Sequence, residues 1–349
     1  MTSAGERMKF SVGYQLAETG EESFVEIVRE FREHVAEVYF AWVGQPSGRS
    51  PIGGREGEVD PQAVERFEAD LAELRRLGVK LDLLFNANCY GGEGIAKALE
   101  ARVVGTIERA AAVAGSVETV TTTSPAIAHI VRKHFPNVRT RASVNLRIGT
   151  VEAMKHVAHL FDAYHVQRDY NRDLGRLRTL RQWADGAGKT LSILLNSGCL
   201  RFCAAQTFHD NLVAHETAVA RSDNLDDFLP YACWTLLRDR ANWPLVLQAT
   251  WVRPEDLHHY DGLFDVGKLA TRLHQRPHAV IRAYAQRRFR GNLLDLMEPG
   301  YSPAFAPWVI DNERIPGDFF DHVSACGGQC HRCDYCAAVL EQALRKIDV

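Results

Sequence analysis

Cysteine is the residue type whose number and spacing most directly predict chemistry in this sequence. The chain has 349 residues and eight cysteines, and four of these form a dense run near the C-terminus, CGGQCHRCDYC. They are spaced C-x3-C-x2-C-x2-C, at Cys326, Cys330, Cys333 and Cys336. Thiolate groups this dense are the ligand sets of iron–sulfur clusters and of tetrahedral zinc. The run therefore predicts a metal centre, with a [4Fe–4S] cluster favoured and zinc as the alternative.

Two other interpretations of this run are weaker. Its flanking Gly, Gln, His, Arg and Asp residues are not typical of a core, which disfavours plain structural thiols. Its first three cysteines have the spacing used by radical-SAM enzymes. That motif belongs after the first strand of a barrel, however, whereas here the cysteines lie at the far end of the chain.

A second set of cysteines consists of Cys199, Cys203 and Cys233. Cys199 follows the apolar run LSILL, which has the length and composition of a buried strand, and the turn Asn-Ser-Gly. Enzymes with α/β barrels place their chemistry where such strands end. Cys203 comes after three more residues and can point at the same centre. We expect this set to bind a metal centre at the mouth of the fold.

Three thiols need a fourth ligand, and several residues could supply it. Cys89, in NANCYGG after the predicted third strand, would give two sets of four thiols. A lone cysteine at a strand end, however, is often a small buried apolar residue. The other candidates are His209, His215 and one of the C-terminal cysteines. For both histidines, capping or packing is the simpler interpretation.

The elements that must position these cysteines alternate regularly along the chain. Strands are predicted at residues 9–16, 35–43, 79–87, 117–122, 139–146, 163–167 and 190–195. Helices are predicted between them, at residues 23–34, 61–77, 96–114, 126–135, 151–161 and 174–187. Such alternation implies βαβ crossovers and a parallel sheet. Because no GxGxxG follows the first strand, the pattern predicts a (β/α)8 TIM-like barrel rather than a dinucleotide-binding fold.

An insertion and a cysteine-rich C-terminal tail complete the predicted organisation. Residues 204–250 are an insertion that delays the eighth strand to residues 263–266, and a helix at 277–290 closes the barrel. A loop rich in Gly, Pro and Ser is predicted at residues 44–54. The barrel with its insertion is predicted to span residues 1–292, and a wrapping tail to span residues 293–349.

Polar and cationic side chains are predicted at the mouth of this barrel, close to the second cysteine set. Asn145 belongs to the end of the fifth strand, Arg168 follows the sixth, and Lys268 and Arg272 follow the eighth. Cations that converge on one barrel mouth suit an anionic ligand. We therefore predict that these four residues bind a small carboxylate-bearing molecule.

Composition and charge favour some classes of protein over others. The formal net charge is −3, which gives no general attraction to nucleic acid or to an anionic membrane and argues gently against RNA as the substrate. The N-terminus, MTSAGERMKF, has no apolar leader, and no stretch approaches the roughly eighteen apolar residues of a membrane span. A cytoplasmic location is therefore predicted, where thiols stay reduced and bind metal rather than form disulfides.

Several stretches resemble the peptidase U32 family, the collagenase-like peptidases of older usage. The resemblance covers most of the predicted barrel and is carried by SVNL, HVQRDYNRD, LLNSGC, VRPEDLHHYDGLFDVGKLATR and RAYAQRRFRGN. Cys199 matches the family's cysteine after the seventh strand, while Lys268 and Arg272 match its Lys and Arg at strand eight. The chain departs from the family where LAT at residues 269–271 replaces Glu-Gly, in the early position of Cys203, and in the C-terminal cysteine run.

The resemblance implies a TIM-like barrel that holds a [4Fe–4S] cluster through four cysteines. Characterised members of the family act in oxygen-independent hydroxylation of tRNA, rRNA or the ubiquinone ring, and some take the hydroxyl from prephenate. With the additional C-terminal cysteines, one or two clusters are predicted for this chain. The predicted function is that of an iron–sulfur enzyme for oxygen-independent hydroxylation or a related redox modification of a small molecule or precursor.

Two other functions remain open from the sequence. One is a peptidase or other hydrolase, as the family name suggests, for which Cys199 and His209 could act as thiolate and base. No HExxH occurs, so a zinc protease of that type is not predicted. The other is a non-enzymatic electron-transfer or assembly protein that docks on a protein partner or redox donor. The clustering of the remaining thiols favours metal binding over hydrolysis.

Overall fold

Eight parallel strands close into a barrel in chain order in the computed structural model, which describes residues 7–18, 20–46 and 60–347. The strands are β1 (Lys9–Gly13), β2 (Val35–Ala41), β3 (Lys80–Phe85), β4 (Thr119–Thr122), β5 (Arg139–Ala142), β6 (Ala163–His165), β7 (Thr190–Leu194) and β8 (Val266–Leu269). The predicted (β/α)8 barrel is therefore confirmed. β8 pairs with both β1 and β7, and its Lys268 lies opposite Ser11 on one side and Leu194 on the other.

Helices follow the strands and cover the outside of the barrel. They are α1 (Phe24–Glu30), α2 (Pro61–Arg76), α3 (Lys97–Ala114), α4 (Pro125–His134), α5 (Val151–His156) and α6 (Leu174–Gly186). Side-chain oxygens cap most of them: Asp60, for example, accepts from Gln62 at the start of α2, and Ser124 accepts from Ile127 in α4. Within the described part of the chain, no helix is both long and apolar enough to cross a membrane.

The insertion and the tail are built from short helices. The insertion contains α7 (Gln206–Ala214), α8 (Glu216–Ala220), α9 (Ala232–Leu237) and α10 (Pro244–Gln248). After α11 (Pro277–Gln286), the tail contains α12 (Ser302–Phe305), β9 (Trp308–Ile310), α13 (Phe319–Ala325), α14 (Tyr335–Ala343) and β10 (Leu344–Lys346). β9 and β10 pair in an antiparallel ribbon, which brings the last described residues of the tail back to β9. Of the predicted 44–54 loop, residues 47–54 lie outside the described residues.

The eighth strand was predicted three residues too early, at 263–266 instead of Val266–Leu269. Residues Pro254–Tyr260 form a 3-10 helix, and the amide of Leu263 donates to the carbonyl of Tyr260 at 3.0 Å, so this residue lies in a turn. Ladder pairing begins only at Val266. As a result Lys268 belongs to the strand itself rather than to the loop that follows it.

The fifth strand is shorter than predicted. It ends at Ala142, and Ser143 then caps a 3-10 helix, Val144–Leu146, by accepting a hydrogen bond from the amide of Asn145 at 3.3 Å. This tight turn lifts Asn145 out of the sheet. The correction places Asn145 at the rim of the barrel, where its side chain can face a pocket.

Candidate functional site

A pocket opens at the carboxyl ends of the barrel strands. Its cavity has a volume of about 110 Å³. Its lining includes all four residues predicted to bind an anion, together with one predicted metal ligand: Asn145, Arg168, Lys268, Arg272 and Cys199. Residues from α7, His209 and Asp210, close one side. Residues far apart in the chain therefore meet here because parallel strands end at the same rim.

Two cations share one aromatic ring on the wall of this pocket. The Lys268 Nζ lies 3.8 Å from the centroid of the Tyr39 ring, and the Arg272 Cζ lies 5.8 Å from it. The Tyr39 hydroxyl donates to the carbonyl of Leu269 at 2.8 Å, which fixes the ring against β8. The negative face of the ring stabilises both cations without neutralising them. Tyr39 was missed by the sequence analysis because nothing in VAEVYFA marks it as a residue of the site.

A buried ion network lies inside the barrel beside Lys268. Arg141 on β5 holds the Glu37 carboxylate through two hydrogen bonds, of 2.5 and 2.9 Å, and donates to Asp82 at 3.1 Å. The Thr121 hydroxyl lies 2.8 Å from both oxygens of Asp82. The sequence analysis missed this network, although single charges inside apolar strands are the signal that could have revealed it.

The network and the pocket shift one another's proton affinities. Burial lowers the pKa of the Lys268 ammonium to about 8, although Asp82 and Glu37 oppose the shift. Burial also raises the pKa of the Asp82 carboxyl to about 6. Burial would raise the pKa of Glu37 too, but the Arg141 guanidinium outweighs it and holds that pKa below its ordinary value. Lys268 is thus a cation that can lose its proton near neutral pH.

The turn that carries Cys199 is fixed by its own residues. The Asn196 side chain accepts from the amide of Ala270 at 2.6 Å and donates to the carbonyl of Leu296 at 2.9 Å, so it ties the loops after β7 and β8 to the tail. A Cβ on Gly198 would come within 2.2 Å of the Pro299 carbonyl oxygen, so only glycine fits. The sequence Asn-Ser-Gly therefore delivers Cys199 to the pocket in one defined position.

The loop from Cys199 to Cys203 is anchored to the turn that carries Arg168. Asp169 is buried, and its Oδ1 accepts from the amide of Phe202 at 2.6 Å. The Arg201 Nε donates to the carbonyl of Asp169 at 3.1 Å. Phe202 has a positive φ of 52°, which lets the loop turn back on itself. The acidic residue next to Arg168 is thus the anchor that holds the first two thiols beside this guanidinium.

The comparisons with known proteins agree with this architecture. No family model matches the sequence. The "Uncharacterized protease MJ1657" of Methanocaldococcus jannaschii is 32% identical over 158 residues, which are 44% of this chain and 46% of that protein. The structure of the U32 peptidase Mk0906 superposes with a TM-score of 0.54 at 16% identity, over 78% of this chain and 96% of the other. The predicted U32 resemblance is confirmed.

Coverage and sequence identity limit what these two matches say about the chain. The match to the Methanocaldococcus protein spans about half the length of that relative. The identity to Mk0906 is low, so this likeness concerns the barrel fold. Roles of individual residues in the pocket therefore have to be argued from the chain itself.

The three thiols of the second set lie close together behind the pocket. Burial raises the pKa of the Cys233 thiol, and Cys199 and Cys203 are near enough to raise it further. The fully buried Tyr301 hydroxyl faces the same three sulfurs and has no oxygen or nitrogen partner among the described residues. A group of three thiols with a buried hydroxyl donor fits an iron–sulfur cluster, whose sulfur atoms accept hydrogen bonds.

The candidates for a fourth ligand are placed differently. The sulfur of Cys89 accepts from the amide of Gly91 at 3.3 Å, and no described contact links it to the other three thiols. His209 lines the pocket, with its ring centroid 4.8 Å from that of Tyr231. His215 ends α7 as its C-terminal cap. His209 is therefore the candidate that shares the pocket with Cys199.

Binding of a small carboxylate to this pocket should depend on pH through Lys268. Below pH 8 the Lys268 ammonium is charged and can pair with the anion, whereas above it the charge is lost. We expect affinity for probes such as malonate or benzoate to be constant below this value and to fall by up to tenfold per pH unit above it. Calorimetric titration between about pH 7 and about pH 9.5 would measure this.

The control for this prediction is Lys268→Arg, which keeps a cation that stays charged throughout the range. We expect the fall in affinity above pH 8 to disappear in this variant. An affinity that does not change with pH in the unsubstituted protein would contradict the role of Lys268 as a titrating anion ligand.

Proposed function

We propose that this U32-type protein is an iron–sulfur enzyme that modifies a small carboxylate-bearing molecule by an oxygen-independent redox reaction, of which hydroxylation is the family example. The observation that supports this most strongly is that Cys199 lines the same pocket as Arg168 and Lys268. A thiol that could bind a metal centre and two cations thus face one small volume. The predicted cytoplasmic location would keep these thiols reduced.

The chain's own residues would bind and orient the substrate. Arg168 and Lys268 both line the pocket, and each can donate to a carboxylate bound there. Arg272 lies on the same wall, above the Tyr39 ring. Asn145, at the rim, can donate to or accept from a hydroxyl or carbonyl of the ligand. With a pKa of about 8, the Lys268 Nζ can also take up or release a proton during a reaction.

Cys199, Cys203 and Cys233 are the residues that would hold the cluster. The three thiols lie near one another and next to the buried Tyr301 hydroxyl. When bound there, a [4Fe–4S] cluster would supply one-electron redox chemistry next to the substrate.

The experiment that tests this function combines metal analysis with carboxylate binding. Protein is purified without oxygen, reduced with dithionite, and examined by electron paramagnetic resonance with and without malonate or benzoate. We expect a cluster signal whose shape changes when the carboxylate binds, because Arg168 lies beside both the pocket and the thiols. A protein that binds carboxylates in the pocket while its cluster signal stays unchanged would contradict the proposal.

Replacing Arg168 should weaken binding of these probes. A hydrogen bond to a charged group is worth about 1.5–3 kcal/mol, so Arg168→Met is expected to lower affinity on the order of tenfold to a hundredfold. Arg132→Met is a matched control, since Arg132 pairs with Asp162 on the outside of the barrel at 3.0 Å. Calorimetry at neutral pH would measure both. Equal carboxylate affinities in the two variants would show that Arg168 does not bind the anion.

A thiol hydrolase is a second candidate, and one observation favours it. Cys199 and His209 line the same pocket, and a thiol with a neighbouring imidazole is the core of a cysteine peptidase. A relative of this chain also carries the name protease. The two functions separate experimentally: iron-free protein that cleaves peptides and is inactivated by alkylation of Cys199 would support the hydrolase.

A further inference from the structure

The four cysteines of the tail converge on one cavity outside the barrel pocket. Cys326 ends α13, Cys330 starts a short 3-10 helix, Cys333 follows it, and Cys336 lies in the first turn of α14. All four line this cavity. The sequence spacing therefore becomes a spatial cluster, because three short elements turn around the same point.

Backbone geometry brings this segment against the barrel. Gly327 and Gly328 both have positive φ values, of 66° and 71°, so the chain between Cys326 and Cys330 curls tightly. A Cβ on Gly328 would lie 2.7 Å from an amino nitrogen of Arg201. The missing side chain thus lets the cationic end of Arg201 approach the backbone of the cysteine run.

Two arginines face the tail thiols from the barrel side. Arg172 is buried, donates to the carbonyls of Leu247 and Trp251 at 2.8 and 3.0 Å, and lies close enough to Cys336 to act on its sulfur. Arg201 acts in the same way on Cys330. Arg172 also lies over the rings of Trp251 and Phe319, and the Asp256 carboxylate that acts on it is already paired with Arg253. A further anion nearby would balance the buried charge of Arg172. A thiolate-ligated metal centre would be that anion.

We propose that Cys326, Cys330, Cys333 and Cys336 bind a second [4Fe–4S] cluster, whose negative charge is balanced by Arg172 and Arg201. This cluster goes beyond the proposed function, which needs only the thiols at the barrel pocket. Arg201 belongs to the loop between Cys199 and Cys203, so one side chain connects the two cysteine sets. The tail cluster therefore lies next to the barrel site rather than at an unrelated place on the surface.

The spacing of the thiols favours a cluster over a single zinc ion. In every group of three thiols in the described chain, at least one pair of sulfur atoms is more than 4.8 Å apart. A tetrahedral zinc ion with ligands at about 2.3 Å would draw its sulfurs to within about 3.8 Å of one another. A [4Fe–4S] cluster binds each sulfur through a different iron atom, so it accepts the wider arrangement.

Two single substitutions test this site with little risk to folding. Cys326 and Cys333 are exposed, so Cys326→Ser and Cys333→Ser should leave the fold intact. Ser324→Ala is the matched control, since Ser324 lies in α13 two residues before Cys326 and its hydroxyl donates to the carbonyl of Asp321 at 3.2 Å. Iron, sulfide and zinc are measured on anaerobically purified protein, together with the paramagnetic resonance signal that carboxylates alter.

We expect each tail variant to lose about half of the iron and sulfide and to keep the carboxylate-sensitive signal, while Ser324→Ala loses neither. Full iron retention in both tail variants would overturn the proposal, and so would release of zinc without iron. Loss of all iron would overturn it as well, because the two cysteine sets would then share one cluster. Loss of the carboxylate-sensitive signal alone would instead count against the proposed function of the barrel pocket.

A charge-removing variant tests the arginine part of the proposal without touching a ligand. Arg201→Met removes a cation beside the tail thiols, so the tail cluster should become harder to reduce and its midpoint potential should fall. The iron content of the Arg201→Met variant should stay unchanged. An unchanged midpoint potential would show that Arg201 does not balance the charge of this cluster.

Discussion

Replacing Cys199, Cys203 or Cys233 with serine is expected to remove the barrel cluster and with it about half of the iron. The three thiols lie together beside the buried Tyr301 hydroxyl, and a serine oxygen is a poor ligand for this metal centre. With both cysteine sets occupied, we expect a fall from about eight to about four iron atoms per chain. Metal analysis of anaerobically purified variants, with absorbance near 400 nm, would measure the loss.

Cys89→Ser tests whether Cys89 is the fourth ligand, and this variant should retain all the iron if Cys89 only packs in its loop. A loss of iron in this variant equal to that of Cys199→Ser would identify Cys89 as the fourth ligand. Full iron retention in all three barrel variants would contradict the assignment of this centre.

Replacing Arg141 with methionine is expected to destabilise the protein strongly. Arg141 is the shared partner of the Glu37 and Asp82 carboxylates inside the barrel, where all three side chains are at most 5% exposed. Removing one partner of a buried ion pair typically costs roughly 3–5 kcal/mol of unfolding free energy, because a buried charge is left uncompensated. Urea unfolding at neutral pH would measure this cost. The exposed pair of Arg132 and Asp162 provides the control, and Arg132→Met should cost less than about 1 kcal/mol.

The effect of Arg141→Met should also depend on pH. In the unsubstituted protein the lowered pKa of Glu37 contributes stability at neutral pH, which is lost as the pH falls below the ordinary range of a glutamate. Without Arg141, burial raises the pKa of both carboxyls, so the folded variant binds protons that the unfolded chain releases. The difference in unfolding free energy between the unsubstituted protein and Arg141→Met should therefore shrink as the pH falls from about 8 to about 5. A difference of equal size at both pH values would argue against this network.

The barrel could be predicted from the sequence because its strands and helices alternate without interruption up to Leu194. The eighth strand was misplaced because the turn before it, at Leu263, is as apolar as a strand. Which cysteines group together followed from their spacing, since a short loop can bring nearby thiols to one point. The position of Cys233 beside Cys199 depends instead on how the insertion packs.

The contacts that depend on register and loop geometry could not be predicted. Glu37 and Asp82 stand out as charges in apolar strands, but their pairing with Arg141 requires the alignment of four neighbouring strands, β2 to β5. Similarly, the approach of Arg201 to Gly328 depends on the turn at Phe202 and on the path of the tail. Spacing along the chain does not contain this information.

The most direct test of the account is the amount of iron and acid-labile sulfide per chain in protein purified without oxygen from the cells that make it. Clusters at both cysteine sets predict about eight iron atoms and about eight sulfides, and a cluster at the barrel pocket alone predicts about four of each. Protein that is folded, contains neither iron nor sulfide, and does not take up a cluster on anaerobic reconstitution would contradict the central claim.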